Sequence, residues 1–342
     1  MKKHTKKILK FGITIIILVV LFWKFNLKLS ALVSEVDCWL YIALAACLPV
    51  SIIPFFSVNR WKLFLSESGI NERFFSLWRI NLVSIFQGLV IPSSQGFDVL
   101  RMYYIERRNP GKRGTAGSTV VIERLFGLAI LASFCVLALP FVKFSGNPLP
   151  LYISVFLVAV GSISIFVLLV TPFFHRLYQG KKTRFQLLNR IIAYIERLHG
   201  AMIVFPYRKV FLSTICFISG FQLSLILCVY LVFMAYGQHI PFLTHLAVYP
   251  VICIYTMIPV TIGGFGVREG CFAFFYAQLG VPPDIAICVS ITNYIIISLI
   301  PATIGGVLFL LDGMFEMEPL ISRDMTNKSL NPRISPENED EK

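Results

Sequence analysis

Charged side chains are scarce in this sequence. Only 14% of its 342 residues are Asp, Glu, Lys or Arg, against about 25% in a soluble globular protein. With 56% hydrophobic residues and a mean hydropathy of +0.76, no water-facing surface can be assembled. That excludes a soluble enzyme and a disordered chain. Catalytic signatures are missing too: there is no G-x-S-x-G, no H-E-x-x-H and no Walker loop, and no polar stretch could form a nucleotide-binding domain. None of the eight cysteines forms a C-x-x-C pair, and the five histidines are scattered. No metal site, disulfide framework or cofactor is therefore expected. What is left is an all-α polytopic membrane protein.

A helix needs about 20 apolar residues to cross the hydrocarbon core. Segments 11–27, 38–58, 119–141, 150–173, 210–236 and 285–311 meet that need, and two more, 74–100 and 243–279, are interrupted by Pro and Gly. The reading is six transmembrane helices plus two re-entrant helical hairpins, eight hydrophobic segments in all. The five lysines in 2–10 imitate a secretory signal, but Trp23, Lys24 and Phe25 stand where a small-residue cleavage site would be, so the first helix is read as uncleaved. The domain is placed at 1–313, followed by a disordered cytoplasmic tail over 314–342.

The chain has 31 basic and 18 acidic residues, an excess that could point to nucleic acid. Its distribution says otherwise. With the N-terminus inside and both interrupted segments returning to their own side, 25 basic residues fall on inner segments and only Lys24, Lys28 and Lys143 on outer ones. Arg79, Arg124 and Arg268 stay within the membrane. This is the positive-inside asymmetry, with both termini cytoplasmic and no nucleic-acid partner. Residues 184–203 place Leu188, Ile192, Ile195, Leu198 and Met202 on one face, as in a helix lying on the inner leaflet or packed on cytoplasmic loops. Trp23, Trp39, Trp61 and Trp78 sit near span ends, as aromatic belts do.

Two strings repeat. Ile91-Pro92-Ser93-Ser94-Gln95-Gly96-Phe97-Asp98-Val99-Leu100-Arg101 and Ile258-Pro259-Val260-Thr261-Ile262-Gly263-Gly264-Phe265-Gly266-Val267-Arg268 share Ile-Pro, a small hydroxyl residue, Gly, Phe, Val and Arg. The flanking spans follow the same offset, which divides the chain into repeat one (about 8–143) and repeat two (about 149–313). Under the charge-derived topology the hairpins open to opposite faces, an inverted repeat. Pro92, Gly96, Pro259, Gly263, Gly264 and Gly266 break the helices. Such backbone survives at membrane depth only when enclosed by protein or lining a polar cavity.

Six ionisable residues accompany these breaks: Asp98, Arg101, Glu123, Arg124, Arg268 and Glu269. Each costs about 2.5–3.5 kcal/mol at a helix centre, so they must be paired, wet or shallow. Three acids against three bases allow an ion-pair network that serves packing alone. The functional reading gives Arg101, Arg124 and Arg268 to a lipid head-group phosphate, which suits their planar forks. Asp98, Glu123 and Glu269 then hold those forks in place. Asn293 is read as a cross-helix hydrogen-bonding group, and Gly305-Gly306 as a site of close helix contact.

Together, Ile122-Glu123-Arg124-Leu125-Phe126-Gly127, the run from Pro92 to Arg101, Ile258 to Gly270 and Gly280-Val281-Pro282 resemble the lysylphosphatidylglycerol synthase transmembrane region family, the flippase-like integral membrane proteins. The resemblance spans about residues 10–313 and is to a stand-alone member without the aminoacyl transferase domain. In multiple peptide resistance factors, such a region is credited with moving a modified phospholipid between leaflets. The resemblance therefore implies a bacterial-type cytoplasmic-membrane flippase for an anionic phospholipid or a polyprenyl-phosphate-linked glycolipid. Two alternatives are a membrane-embedded glycosyl or lipid transferase using Asp98 or Glu123 as base, and a non-catalytic subunit partnering envelope-biosynthesis enzymes.

Overall fold

The computed structural model describes residues 31–89, 96–112, 114–143, 146–170, 186–257 and 261–312. The expected first span (11–27), Trp23, Pro92, Pro259 and the tail lie outside them. Every regular element among the described residues is helical. After a single turn α1 (Ala31–Ser34) come α2 (Trp39–Cys47), α3 (Ile52–Glu67), α4 (Phe74–Gly88), α5 (Gly96–Arg108), α6 (Thr115–Ala138) and α7 (Leu149–Val170). Then follow α8 (Gln186–Val204), α9 (Tyr207–Ala235), α10 (Phe242–Met257), α11 (Val267–Ala277), α12 (Pro283–Tyr294) and α13 (Ile300–Asp312). Four stretches are long and apolar enough to cross a membrane: Trp39–Glu67, Thr115–Phe141, Tyr207–Ala235 and Pro283–Leu311. Large apolar side chains on their outer faces, among them Leu40, Phe55, Leu137, Leu212 and Leu310, point away from the protein, as a lipid-facing surface requires. This is a multi-pass membrane protein.

The elements recur in order at a nearly constant spacing. Trp39–Glu67 and Tyr207–Ala235 are both 29 residues long and begin at residues 39 and 207. Helices α4 and α10 begin at 74 and 242, α5 and α11 at 96 and 267, α6 and α12 at 115 and 283. The first pair is antiparallel along its whole length. At one end the backbone N–H of Asp37 donates to Ala235 O (2.8 Å), and at the other Lys209 Nζ meets Glu67 Oε2 (2.9 Å).

Helices α4 and α10 have 15 and 16 residues, about 23 Å at 1.5 Å per residue, too short for a 30 Å core. Each turns back on the helix that follows. Arg108 near the end of α5 donates to Ser76 near the start of α4, and Gly88 leaves room for the Phe97 backbone, 3.0 Å from where a Cβ would stand. In the second pair His245 Nδ1 lies 2.8 Å from Tyr276 Oη. The first hairpin opens at the end that carries Lys209, and the second at the end that carries Ala235. Among the described residues, the first end gathers Arg73, Arg107, Arg108, Lys112, Arg197, Arg208 and Lys209. The other has Lys143 beside Glu35, Asp37 and Asp284.

Packing is exchanged between the halves. Helix α4 rests on α13, and α10 rests on α6, so each hairpin leans on the last span of the other half. Between α4 and α13 the tight point is Gly305, where a Cβ would lie 2.1 Å from Leu82 O; the expected close contact is here. Helix α12 passes into α13 through a π turn at Ile295–Leu299. Pro301 has no N–H for the Ile297 carbonyl, so the α pattern cannot continue.

The second span corrects the sequence reading. It does not stop at residue 58 but continues, after a break at Leu48–Ser51, to Glu67. Asn59-Arg60-Trp61-Lys62 looks like the start of a loop, yet Arg60 and Trp61 are buried on the same helical face as Ser57 and Phe64. Trp61 is therefore a core residue and no belt residue. Helix α8 packs on α6, with Leu198 and Met202 set against Phe64 and Ile122.

Candidate functional site

Four of the six ionisable residues singled out in the sequence come together between α3, α5 and α6, and Arg60 joins them. Asp98 lies in the first turn of α5, where a carboxylate is favoured by the helix N-terminus. Arg101 follows one turn later on the same face, its Nη2 2.8 Å from Asp98 Oδ1. Glu123 and Arg124 are consecutive on α6 and so point about 100° apart. Glu123 turns inward, 2% exposed, and Oε1 accepts from Arg101 Nη2 (3.1 Å) and from Arg60 Nη2. Arg124 reaches outward, its side chain 35% exposed, and holds Asp98 Oδ2 through Nη2 (2.5 Å) and Nε (2.6 Å). Arg101 stands over the rings of Trp61 (5.1 Å) and Phe97 (5.8 Å), and Arg60 over Phe221 (4.3 Å).

Three guanidinium groups face two carboxylates here. Arg60 makes the difference: the balance of three acids and three bases read from the sequence gives way to a surplus of one positive charge. The cluster is also incompletely hydrogen-bonded. Arg60 Nε, Arg101 Nε and Glu123 Oε2 are buried without a hydrogen-bond partner. A buried excess charge is costly unless something pairs it. The arrangement is suited to accepting one anion beside Arg124, its most accessible member.

Arg268 and Glu269 form a second group in the other half. Gly263, Gly264 and Gly266 have φ of 62°, 75° and 83°, a left-handed region where a Cβ is strained, and this sharp turn delivers the chain into α11. Glu269 Oε2 accepts from the Gly266 N–H (2.6 Å), and Oε1 accepts from Arg268 Nη2 (2.5 Å). Arg268 Nε lies 3.3 Å from Ser290 Oγ on α12, and its guanidinium stands over Tyr294 (4.2 Å) and Phe265 (5.1 Å). The same 167-residue step takes Arg101 to Arg268 and Glu123 to Ser290, and both pairs touch. Among the described residues the two groups share no ion pair or hydrogen bond. The three arginines thus occupy two places: Arg101 and Arg124 where the first hairpin meets α6, and Arg268 on the second hairpin.

A cavity of about 530 Å³ runs beside the second group, lined mainly by Leu149, Ile153, Tyr255, Val267, Phe274 and other apolar residues of α7, α10 and α11. Near the basic end, Glu106 Oε1 accepts from the N–H groups of Gly114 (2.9 Å) and Gly117 (3.2 Å) and from Tyr194 Oη (3.0 Å). Burial and the neighbouring Glu106 carboxylate push the Tyr194 hydroxyl pKa up, so it remains a donor that ties α8 to the start of α6. All eight cysteines are free thiols.

Residues 7–306 match the family described as the lysylphosphatidylglycerol synthase TM region. The chain belongs to this family. Among similar proteins, the UPF0104 membrane protein MJ1595 of Methanocaldococcus jannaschii is 22% identical over 295 residues, 79% of this chain and 84% of its own. The UPF0104 membrane protein PH1989 of Pyrococcus horikoshii is 23% identical over 336 residues, 91% of this chain and 97% of its own. A UPF0104 membrane protein of Methanothermobacter thermautotrophicus is 25% identical over 268 residues, 72% and 76% respectively. No solved structure matches the chain.

Proposed function

We propose that this protein moves an anionic lipid between leaflets of a cytoplasmic membrane, with a head-group phosphate engaging Arg101 of the first hairpin, Arg124 on the adjoining α6 and Arg268 of the second hairpin. One observation carries the reading: a buried cluster with one more guanidinium than carboxylate, reachable through the half-exposed Arg124. A single phosphate would cancel that surplus and meet arginine forks of suitable geometry. The antiparallel second spans of the two halves and the opposed hairpins support an inverted repeat, in which re-entrant helices approach one path from both faces. The basic end is then cytoplasmic. The 530 Å³ apolar cavity beside α11 would take an acyl chain. Asp98 and Glu123 are each held by two guanidinium groups; that commits both carboxylates to ion pairs and speaks against the transferase reading. With no nucleotide site in view, movement would be passive or coupled to an ion gradient.

Two measurements test this. In proteoliposomes carrying labelled anionic lipid, Arg124→Gln should reduce transfer about 10–100-fold, the loss of a charge-assisted contact, while the protein still purifies as a folded species. Unchanged transfer would remove the phosphate role. In a variant lacking the native cysteines, thiols introduced as Gly111→Cys and His239→Cys should react with impermeant reagent from opposite sides of the membrane. Labelling from one common side would dismantle the opposed hairpins.

A further inference from the structure

The cluster between α3, α5 and α6 carries its excess charge at the closed end. Pairing Arg124 with Asp98 and Arg60 with Glu123 leaves Arg101 over. Arg101 and Arg60 are 3% and 6% exposed, so bulk solvent hardly reaches the surplus. Such a charge is costly until something of opposite sign pairs it.

The hydrogen bonds point the same way. Arg60 Nε, Arg101 Nε and Trp61 Nε1 are buried donors without an acceptor, and they belong to neighbouring side chains. Arg60 and Arg101 both donate through Nη2 to Glu123 Oε1, and Arg101 stands over the Trp61 ring. Both carboxylates engage Arg101 through Nη2, which leaves its Nε unmatched. Glu123 Oε2 also lacks a hydrogen-bond partner; it would repel an anion, so the Nε edges of the two guanidinium groups mark the place. Buried donors without acceptors are rare and call for one.

Several acceptors fail. Water would satisfy the N–H groups and leave the charge. A divalent anion would overshoot a surplus of one. A small monovalent anion, close to water in size, answers both the charge and the donors through charge-assisted bonds. We infer that the Arg60–Arg101 end of the cluster is a binding site for a small monovalent inorganic anion, of chloride size. The site goes beyond the transport reading and stands without it; an arriving head-group phosphate would have to displace the ion.

The test uses the purified full chain in non-ionic detergent, with chloride replacing gluconate at constant ionic strength. Radioactive chloride should bind saturably at one ion per chain, and the midpoint of thermal unfolding should rise by about 2–5 °C as the site fills. Sulfate at the same ionic strength should give no such rise. Arg101→Met, which leaves two balanced pairs, should lose both the bound chloride and the shift. Lys209→Gln, which removes one positive charge from an exposed ion pair, should keep both. Should Arg101→Met fail to fold, Arg60→Gln decides, since it cancels the same surplus. Absence of saturable chloride binding in the wild type would overturn the site, as would binding retained without the surplus arginine, or equal stabilisation by sulfate. Each of these results leaves the transport reading standing, because labelled-lipid transfer tests that separately.

Discussion

Glu123→Gln should cost the fold about 3–5 kcal/mol, the usual consequence of leaving a buried charge without its partner. The side chain keeps its shape, so the effect is electrostatic. Its Oε1 is the meeting point of Arg60 and Arg101, and without it three guanidinium groups share the single carboxylate of Asp98. The surplus rises from one positive charge to two. Arg101→Met works in the opposite sense. It retains an unbranched apolar stem, and Arg60–Glu123 and Arg124–Asp98 remain as two balanced pairs. It should therefore be clearly less damaging, and the double variant should recover part of the loss, a coupling of about 0.5–3 kcal/mol for residues in contact. Thermal unfolding in detergent measures all three. Arg101→Met proving worse than Glu123→Gln would mean the surplus charge is not what governs the cluster.

Gly305→Val should be comparably severe, at about 3 kcal/mol or more. The obstacle is the Leu82 carbonyl, 2.1 Å from the new Cβ, and backbone cannot swing aside as a side chain can. Relief requires α4 and α13 to separate, which would unseat the first hairpin. Two glycines serve as internal comparisons. Gly306→Ala meets only the Phe86 ring at 3.0 Å, which can give way, so its cost should be smaller. Gly200→Ala on α8 meets nothing within 4 Å and should stabilise by about 0.5–1 kcal/mol through the helix preference for Ala. Thermal stability and expression level rank the series; a Gly305→Val protein as stable as wild type would show that this contact is not tight.

Much of the architecture was readable in the sequence. The Ile-Pro…Arg strings predicted the spacing at which α4 and α5 recur as α10 and α11, because breaks in apolar helices leave a mark in Pro and Gly. The network around Asp98, Arg101, Glu123 and Arg124 was foreshadowed by the cost of burying charges singly. Arg60 was missed for a physical reason: the polar run Asn59-Arg60 resembles a helix leaving the membrane, and hydropathy cannot tell a buried guanidinium from a cytoplasmic one. One signal could have found it. Carrying the end of Tyr207–Ala235 back by the repeat spacing places the second span's end at Glu67, which brings Arg60 inside. The division of the arginines between two groups depends on tertiary packing and has no counterpart in residue spacing.

The exchange of partners between the halves has a consequence during synthesis. Leu82 and Gly305, which touch, are separated by 223 residues, and a ribosome adding about 5–20 residues per second takes roughly 10–45 s to cover that distance. Throughout that interval the first hairpin, with its load of arginines and acids, has emerged but lacks the surface it is shaped to lie against. A nascent chain of this kind invites a membrane insertase or chaperone to shelter the unfinished half until translation delivers its mate.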